Sequence, residues 1–169
     1  MSLLQDACVT DQNQPDQNQP NQPTENPSAE IAQEDHASGA AATRVNPERS
    51  LELALAAART AAENGGREIV VLDMSPHTAI FDYFVIATGS SRRQLHAMSE
   101  EIDHKLEDEL NDKRMNIDGY DDSKWIVLDY GTVVIHLFDE DTRVFYSLET
   151  LWADAKNVDL TETLKNIRQ

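Results

Sequence analysis

The chain has 169 residues, enough for one domain with a tail, and its 31 acids against 14 Lys and Arg give a net charge of −17. Such a balance argues against a protein that holds DNA through clustered cations, and toward a partner that is itself basic. With Cys8 as the sole cysteine, no apolar run of the roughly 18 residues a membrane helix needs, and no signal-peptide pattern at the start, the expectation is a cytoplasmic protein.

Residues 1–46 read as a disordered acidic tail rich in Gln, Asn and Pro. Asp11-Gln12-Asn13-Gln14-Pro15 recurs at once as Asp16-Gln17-Asn18-Gln19-Pro20, and then, shortened, as Asn21-Gln22-Pro23. Almost no large apolar side chains are there to offset the entropy of ordering. Seven acids against the single base Arg44 make the segment a solvated extension, or else an acidic lure for a basic partner.

Order is expected to begin near Pro47, with Asn46 as N-cap and Pro47 in the first turn, where its missing N–H costs nothing. Leu51, Leu55, Ala58 and Ala62 recur at helical spacing until Asn64-Gly65-Gly66 stops the helix. Glu68–Asp73 is rich in β-branched residues and reads as a strand; a second runs from Tyr83 to Thr88. Ser91 and Gln94 fit a capping box, and Leu95, Met98, Ile102, Leu106 and Leu110 line one face of the helix that follows. A short strand is expected within Lys113–Asp118. Two more, Trp125–Asp129 and Thr132–Phe138, flank the hairpin-sized link Tyr130-Gly131. A last helix starts near Thr142 and carries Leu148, Leu151 and Trp152. The order predicts a two-layer α/β domain over residues 47–155, with a mixed sheet of about five strands, and a C-terminal extension over 156–169.

Three segments carry candidate function. Gly89, Ser90, Ser91, Arg92 and Arg93 join a strand end to a helix N-terminus, where unpaired N–H groups can hold an anion. An ordinary capped helix with solvated arginines gives the same pattern. Nucleotidyl transfer at such a segment would need paired carboxylates for metal ions, and no Asp-x-Asp lies in the strands. No His-x-x-x-His, Cys-x-x-Cys or Gly-x-Ser-x-Gly pattern occurs either, so neither a metal, a cofactor nor a catalytic residue is expected. His136, in an apolar strand, reads as a hydrogen-bonded structural histidine. The second segment is Gly119 to Trp125. Strand alternation sends Trp125, Val127 and Asp129 one way and Ile126, Leu128 and Tyr130 the other, so both faces are partly apolar, although one helical layer covers only one. Trp125 is then either an interface anchor beside acidic loops or a core residue. The third segment, Arg143 to Trp152, reads as a helix whose aromatic residues are mostly core.

Together these segments resemble the ribosomal silencing factor family, also called Iojap-like. Its Asp-Tyr-Phe-Val-Ile-x-x-Gly-x-Ser pattern stands at Asp82–Ser91, and its Glu-Gly followed by Trp appears as Asp118-Gly119 and Trp125. Its Trp-to-His strand pair lies at Trp125–His136, and its Arg-x-Phe-Tyr-x-Leu-Glu-x-Leu-Trp at Arg143–Trp152. The resemblance implies a nucleotidyltransferase-like fold without that activity, often a homodimer. It also implies a translational repressor, active under nutrient limitation, that binds the large ribosomal subunit through ribosomal protein L fourteen and blocks joining of the small subunit. Carried over by position, Trp125, Val127, Asp129, Gly119 and Tyr130 are the expected contacts. Asp118 and Thr132 depart from the family's usual Glu and Asp and could tune that contact. The alternative function is a nucleotide-binding or nucleotidyltransferase-like enzyme using Gly89–Arg93.

Overall fold

A computed structural model describes residues 46–167 of the chain. The expected tail lies outside the described residues except for Asn46, and Cys8 lies outside them too.

Helix α1 (Pro47–Glu63) starts where the sequence places it, with the Asn46 side chain accepting the Glu48 N–H at 3.2 Å. Of the stripe read from Leu51, Leu55, Ala58 and Ala62, the two alanines are buried and the two leucines are not. Leu53, Ala54, Ala57, Ala58 and Ala61 form the core face, while Leu51 and Leu55 are half-buried. The alanines decide this. A helix seats closest where its side chains are smallest, and here that close approach brings α1 against the sheet.

Strands β1 (Arg67–Asp73) and β2 (Tyr83–Thr88) pair antiparallel, and β2 then pairs parallel with β5 (Val133–Phe138). Between them run α2 (Arg92–Asp103) and a π-helical turn, His104–Glu109, that carries Leu106 into the core. Leu110, expected on the same face, is half-buried. Strand β3 covers only Asn116–Asp118 of the expected Lys113–Asp118 and pairs with β4 (Trp125–Asp129), which in turn pairs antiparallel with β5. The sheet is mixed, and a sixth strand joins it: β6 (Lys156–Asn157) pairs with β1, giving the order β3-β4-β5-β2-β1-β6. Val158 and Leu160 pack on the core beyond it, so the fold continues past residue 155.

The single C-terminal helix of the sequence reading is two. Helix α3 (Glu140–Tyr146) is capped by Asp139, whose side chain accepts the Thr142 N–H at 2.7 Å. Ser147 then takes a left-handed φ of 43°, which breaks the helix before α4 (Leu148–Leu151).

Helices α1 and α2 cover one sheet face, burying Val71, Val85, Ile126, Leu128, Val133 and Ile135 against the alanine stripe, Leu95 and Met98. The other face is not bare, as the one-layer argument supposed. Leu72, Phe84, Ile86, Val134 and Phe138 gather under Met74, Leu148 and Ala155, with Trp152 packed at their margin. Each Val, Leu, Ile, Phe or Met side chain fully buried in these layers contributes about 1.5–3 kcal/mol of apolar burial. The fully buried part of this second cluster ends at β5; Trp125 and Val127 of β4 pack against it half-buried, and the candidate site lies there.

Candidate partner-binding site

Register sets the site. Trp125 lies opposite Phe138 and Val127 opposite His136, so all four side chains share the face away from α1 and α2. Trp125 is half-buried: its ring stacks on Phe138 with centroids 4.8 Å apart, and Tyr146 of α3 packs on it at 4.7 Å. The indole Nε1–H donates to Nδ1 of His136 at 3.3 Å. An accepting Nδ1 leaves the proton on Nε2, and that nitrogen has no hydrogen-bond partner. His136 is therefore the hydrogen-bonded histidine of an apolar strand that the sequence suggests, with one of its two ring nitrogens left unpaired. Burial, with no carboxylate to oppose it, pushes its pKa from 6.5 down to about 4, so the ring stays neutral at ordinary pH.

The loop before Trp125 is held tightly. Gly119 has a φ of +72°, and an added Cβ would collide with the Trp125 carbonyl oxygen, so only glycine fits there. Ser123 is buried and receives His96 Nε2 at 2.5 Å, while its own hydroxyl donates to the Tyr120 carbonyl at 2.7 Å. The His96 ring stacks on Tyr120 at 4.1 Å. Sequence reasoning passed over this brace because His96 and Ser123 lie 27 residues apart. Its result is to expose Asp121, Asp122 and Lys124 around Trp125. Asp122, Lys124, Thr142, Tyr146, Gly119 and Trp125 line a groove of about 480 Å³.

Of the five expected contact residues, Gly119, Trp125 and Val127 fall on this surface or its rim. Asp129 is half-buried and accepts the Gly131 N–H at 2.7 Å, which holds the β4–β5 turn. Tyr130 lies on the opposite face, 4% exposed, with its hydroxyl on Asp103; burial raises its pKa steeply. It cannot touch a partner together with Trp125. Asp118 accepts from the Asn116 side chain, and the Thr132 carbonyl receives the N–H groups of Asp82 and Tyr83.

The aromatic residues of Arg143–Trp152, expected to be mostly core, are not: Phe145 and Tyr146 are exposed and only Trp152 is half-buried. Phe145 is 81% exposed, Val144 73% and Leu151 70%, and Tyr146 borders the groove. What keeps this segment folded is the polar member: Arg143 is buried, donates to Thr88 Oγ1 at 2.7 Å and forks onto Glu149. The break at Ser147 is invisible to periodicity; it ends α3 just after Val144, Phe145 and Tyr146, all of them exposed.

The Gly89–Arg93 segment is a packed and occupied corner. A Cβ at Gly89 would meet Leu95 Cδ2 at 2.7 Å, so this glycine serves the close seating of α2 on the strand end. Ser91 caps α2, accepting the Gln94 N–H at 3.3 Å, but Gln94 reaches back to Ser90 instead of Ser91. Its side-chain oxygen takes both the N–H and the hydroxyl of Ser90, at 2.7 and 2.8 Å, and its amide donates to the Asn64 and Gly65 carbonyls. Arg92 donates to the Asp121 carbonyl at 2.5 Å. Asp139, Glu140 and Asp141 line the hollow beside Gly89 and Ser90 together with Arg67, which pairs with Glu140 at 3.3 Å, so acids outnumber the one base there. Among the described residues no group of three His, Cys, Asp or Glu is placed to hold a metal ion, and no helix is long and apolar enough to cross a membrane.

Comparisons with known proteins bear on the whole domain. A family model described as "Ribosomal silencing factor during starvation" matches residues 47–169. The Ribosomal silencing factor RsfS of Bacillus subtilis (strain 168) is 37% identical over 117 residues, covering 69% of this chain and 95% of that protein. The mouse protein named Mitochondrial assembly of ribosomal large subunit protein 1 is 39% identical over 93 residues, covering 53% of this chain and 40% of its own length. A crystal structure of a Chromobacterium violaceum protein matches with a TM-score of 0.59 at 30% identity, covering 61% of this chain and 85% of that one. One from Bacillus halodurans gives 0.56 at 30% identity, covering 67% and 99%.

Proposed function

Because the chain belongs to the ribosomal silencing factor family, we propose that it represses translation by docking on the large ribosomal subunit through ribosomal protein L fourteen and obstructing the small subunit. The observation that carries this reading is Trp125, half-exposed at the edge of the second core cluster and supported from below by Phe138 and His136. A rigid aromatic side chain beside exposed Asp121 and Asp122 is the composition of an interface anchor that meets a basic surface. The net charge of −17 favours such an encounter and speeds it at low salt. In this reading the mechanism is steric, without turnover or cofactor. The protein works in the cytoplasm when nutrients are short, and it is a homodimer when free, a state that sedimentation equilibrium would measure.

The test is co-sedimentation of the full chain with isolated large subunits, with and without small subunits. Binding that small subunits compete away is the expected result. A pellet holding this protein and both subunits together would refute the steric block.

A further inference from the structure

Local sequence does not choose the shape of the loop from Gly119 to Lys124. Ser123 takes a left-handed φ of 54°, which is costly for a serine, and it alone among these loop residues is buried. What holds the loop is one stripe of α2. Arg92, His96 and Glu100 are spaced by four, so they stand above one another on the helix. Arg92 donates to the Asp121 carbonyl at 2.5 Å. His96 Nε2 meets both the Tyr120 carbonyl, at 2.9 Å, and the Ser123 hydroxyl, at 2.5 Å. Because that hydroxyl donates its own proton to the Tyr120 carbonyl, its oxygen accepts, and Nε2 carries the hydrogen. Glu100 accepts the Tyr120 hydroxyl at 2.7 Å. From Tyr120 to Ser123 only Asp122 has no bond to α2, and its neighbours on both sides are held.

Hydrogen bonds between exposed or half-buried groups add little to global stability, so the effect of these falls on the loop. What the loop carries makes that restraint matter. Asp121 and Asp122 are exposed on it, and the Lys124 carbonyl, just before Trp125, is fixed by the Asp139 N–H at 2.8 Å. A partner that meets a mobile loop must order it, which weakens binding; a loop already held carries no such cost.

We propose that His96, with Arg92 and Glu100 beside it, is a positioning residue for partner docking. Helix α2 holds the acidic loop in its docking shape before the partner arrives, and His96 reaches no partner itself. This rests on the ribosomal reading for the partner's identity, but the restraint on the loop is measurable without a ribosome.

The test compares His96→Leu, which removes both bonds, with His96→Gln, whose amide N–H stands close to the position of Nε2. In the full chain, the Ser123 amide bonds the Gly119 carbonyl at 3.0 Å. Its hydrogen exchange should quicken about tenfold in His96→Leu and stay near the wild-type rate in His96→Gln. Large-subunit affinity, from a pelleting titration, should fall about tenfold in His96→Leu and recover in His96→Gln, with the urea midpoint of all three proteins alike. Tyr120→Phe, which keeps the ring on His96 and loses only the Glu100 bond, should shift both readouts the same way by about twofold, and it decides the matter should His96→Leu fail to fold. Asp122→Asn should cost about threefold in affinity in the wild type and less in His96→Leu, because a carboxylate no longer held contributes less. Unchanged exchange in both His96→Leu and Tyr120→Phe overturns the clamp. Faster exchange with unchanged pelleting, or an Asp122→Asn cost equal in the two backgrounds, overturns the positioning role. A wild type that does not pellet overturns the ribosomal reading, and the exchange rates alone then decide the clamp.

Discussion

His136→Gln should remove a specific loss of stability in mild acid. The folded-state pKa of His136 is about 4, against 6.5 ordinarily, and its ring is 7% exposed among Trp125, Phe84 and Phe138. The native state therefore binds fewer protons than the unfolded state between these values, and stability falls as pH falls through that window. Above pH 6.5 both states are neutral at this ring and the effect vanishes. Integrating between the two pKa values gives about 2 kcal/mol lost at pH 5 and roughly 3 kcal/mol below pH 4. Glutamine can still accept the Trp125 N–H and carries no proton to gain. Urea unfolding of wild type and variant at pH 7 and pH 5 isolates the term as a difference of differences, in which every other titrating group cancels. A wild type that loses about 2 kcal/mol more than the variant over that interval supports the reasoning. Equal losses would refute it, as would an imidazole resonance for His136 that titrates near pH 6.5.

Trp125→Ala should cost about 2 kcal/mol or more of large-subunit binding, as truncating a central aromatic anchor does, in a variant that circular dichroism shows to be folded. Deleting residues 1–46 should leave that affinity within about threefold, since net-charge steering acts mainly on association rate, and a large loss would mean the tail is a contact. Gly119→Ala should destabilise by roughly 1–3 kcal/mol in thermal or urea unfolding, because the new methyl meets a backbone carbonyl that cannot turn aside and the φ is left-handed. Tyr130→Phe should lose about 1 kcal/mol of stability with the Asp103 hydrogen bond and leave ribosome binding unchanged.

Local chemistry explains which parts of this molecule were legible in its sequence. Strand β2 has the bounds read for it, since a β-branched run ending in glycine leaves little choice, and the Asn46 and Ser91 caps act on their own neighbours. Strand alternation likewise put Trp125 and Val127 on one face. It could not say that Tyr130 is consumed by Asp103, because that contact spans 27 residues. Periodicity misjudged α1, where Ala54, Ala57 and Ala58 outrank Leu51 and Leu55 through size instead of hydrophobicity. It also misread α3 and α4. A single left-handed residue, Ser147, splits the expected helix, and serine gives no pattern that announces such a turn; Val144 and Phe145, on the first piece, are exposed. The family resemblance carried the identification through these errors because it depends on residue order, which a local break does not disturb.

The parallel pairing of β2 with β5 separates two kinds of folding event. Strands β1 and β2 meet across a short loop, and β4 and β5 across a tight turn, so each pair can form from nearby chain at modest entropic cost. The β2–β5 seam must first draw together everything from α2 to the β4–β5 turn, and it has no local hairpin to guide it. Both hydrophobic layers cross that seam, one under the alanine stripe and the other under Leu148 and Ala155. Neither hairpin can therefore complete its own core. The surface bearing Trp125 is a property of the closed sheet, reached only when the β2–β5 seam has been made.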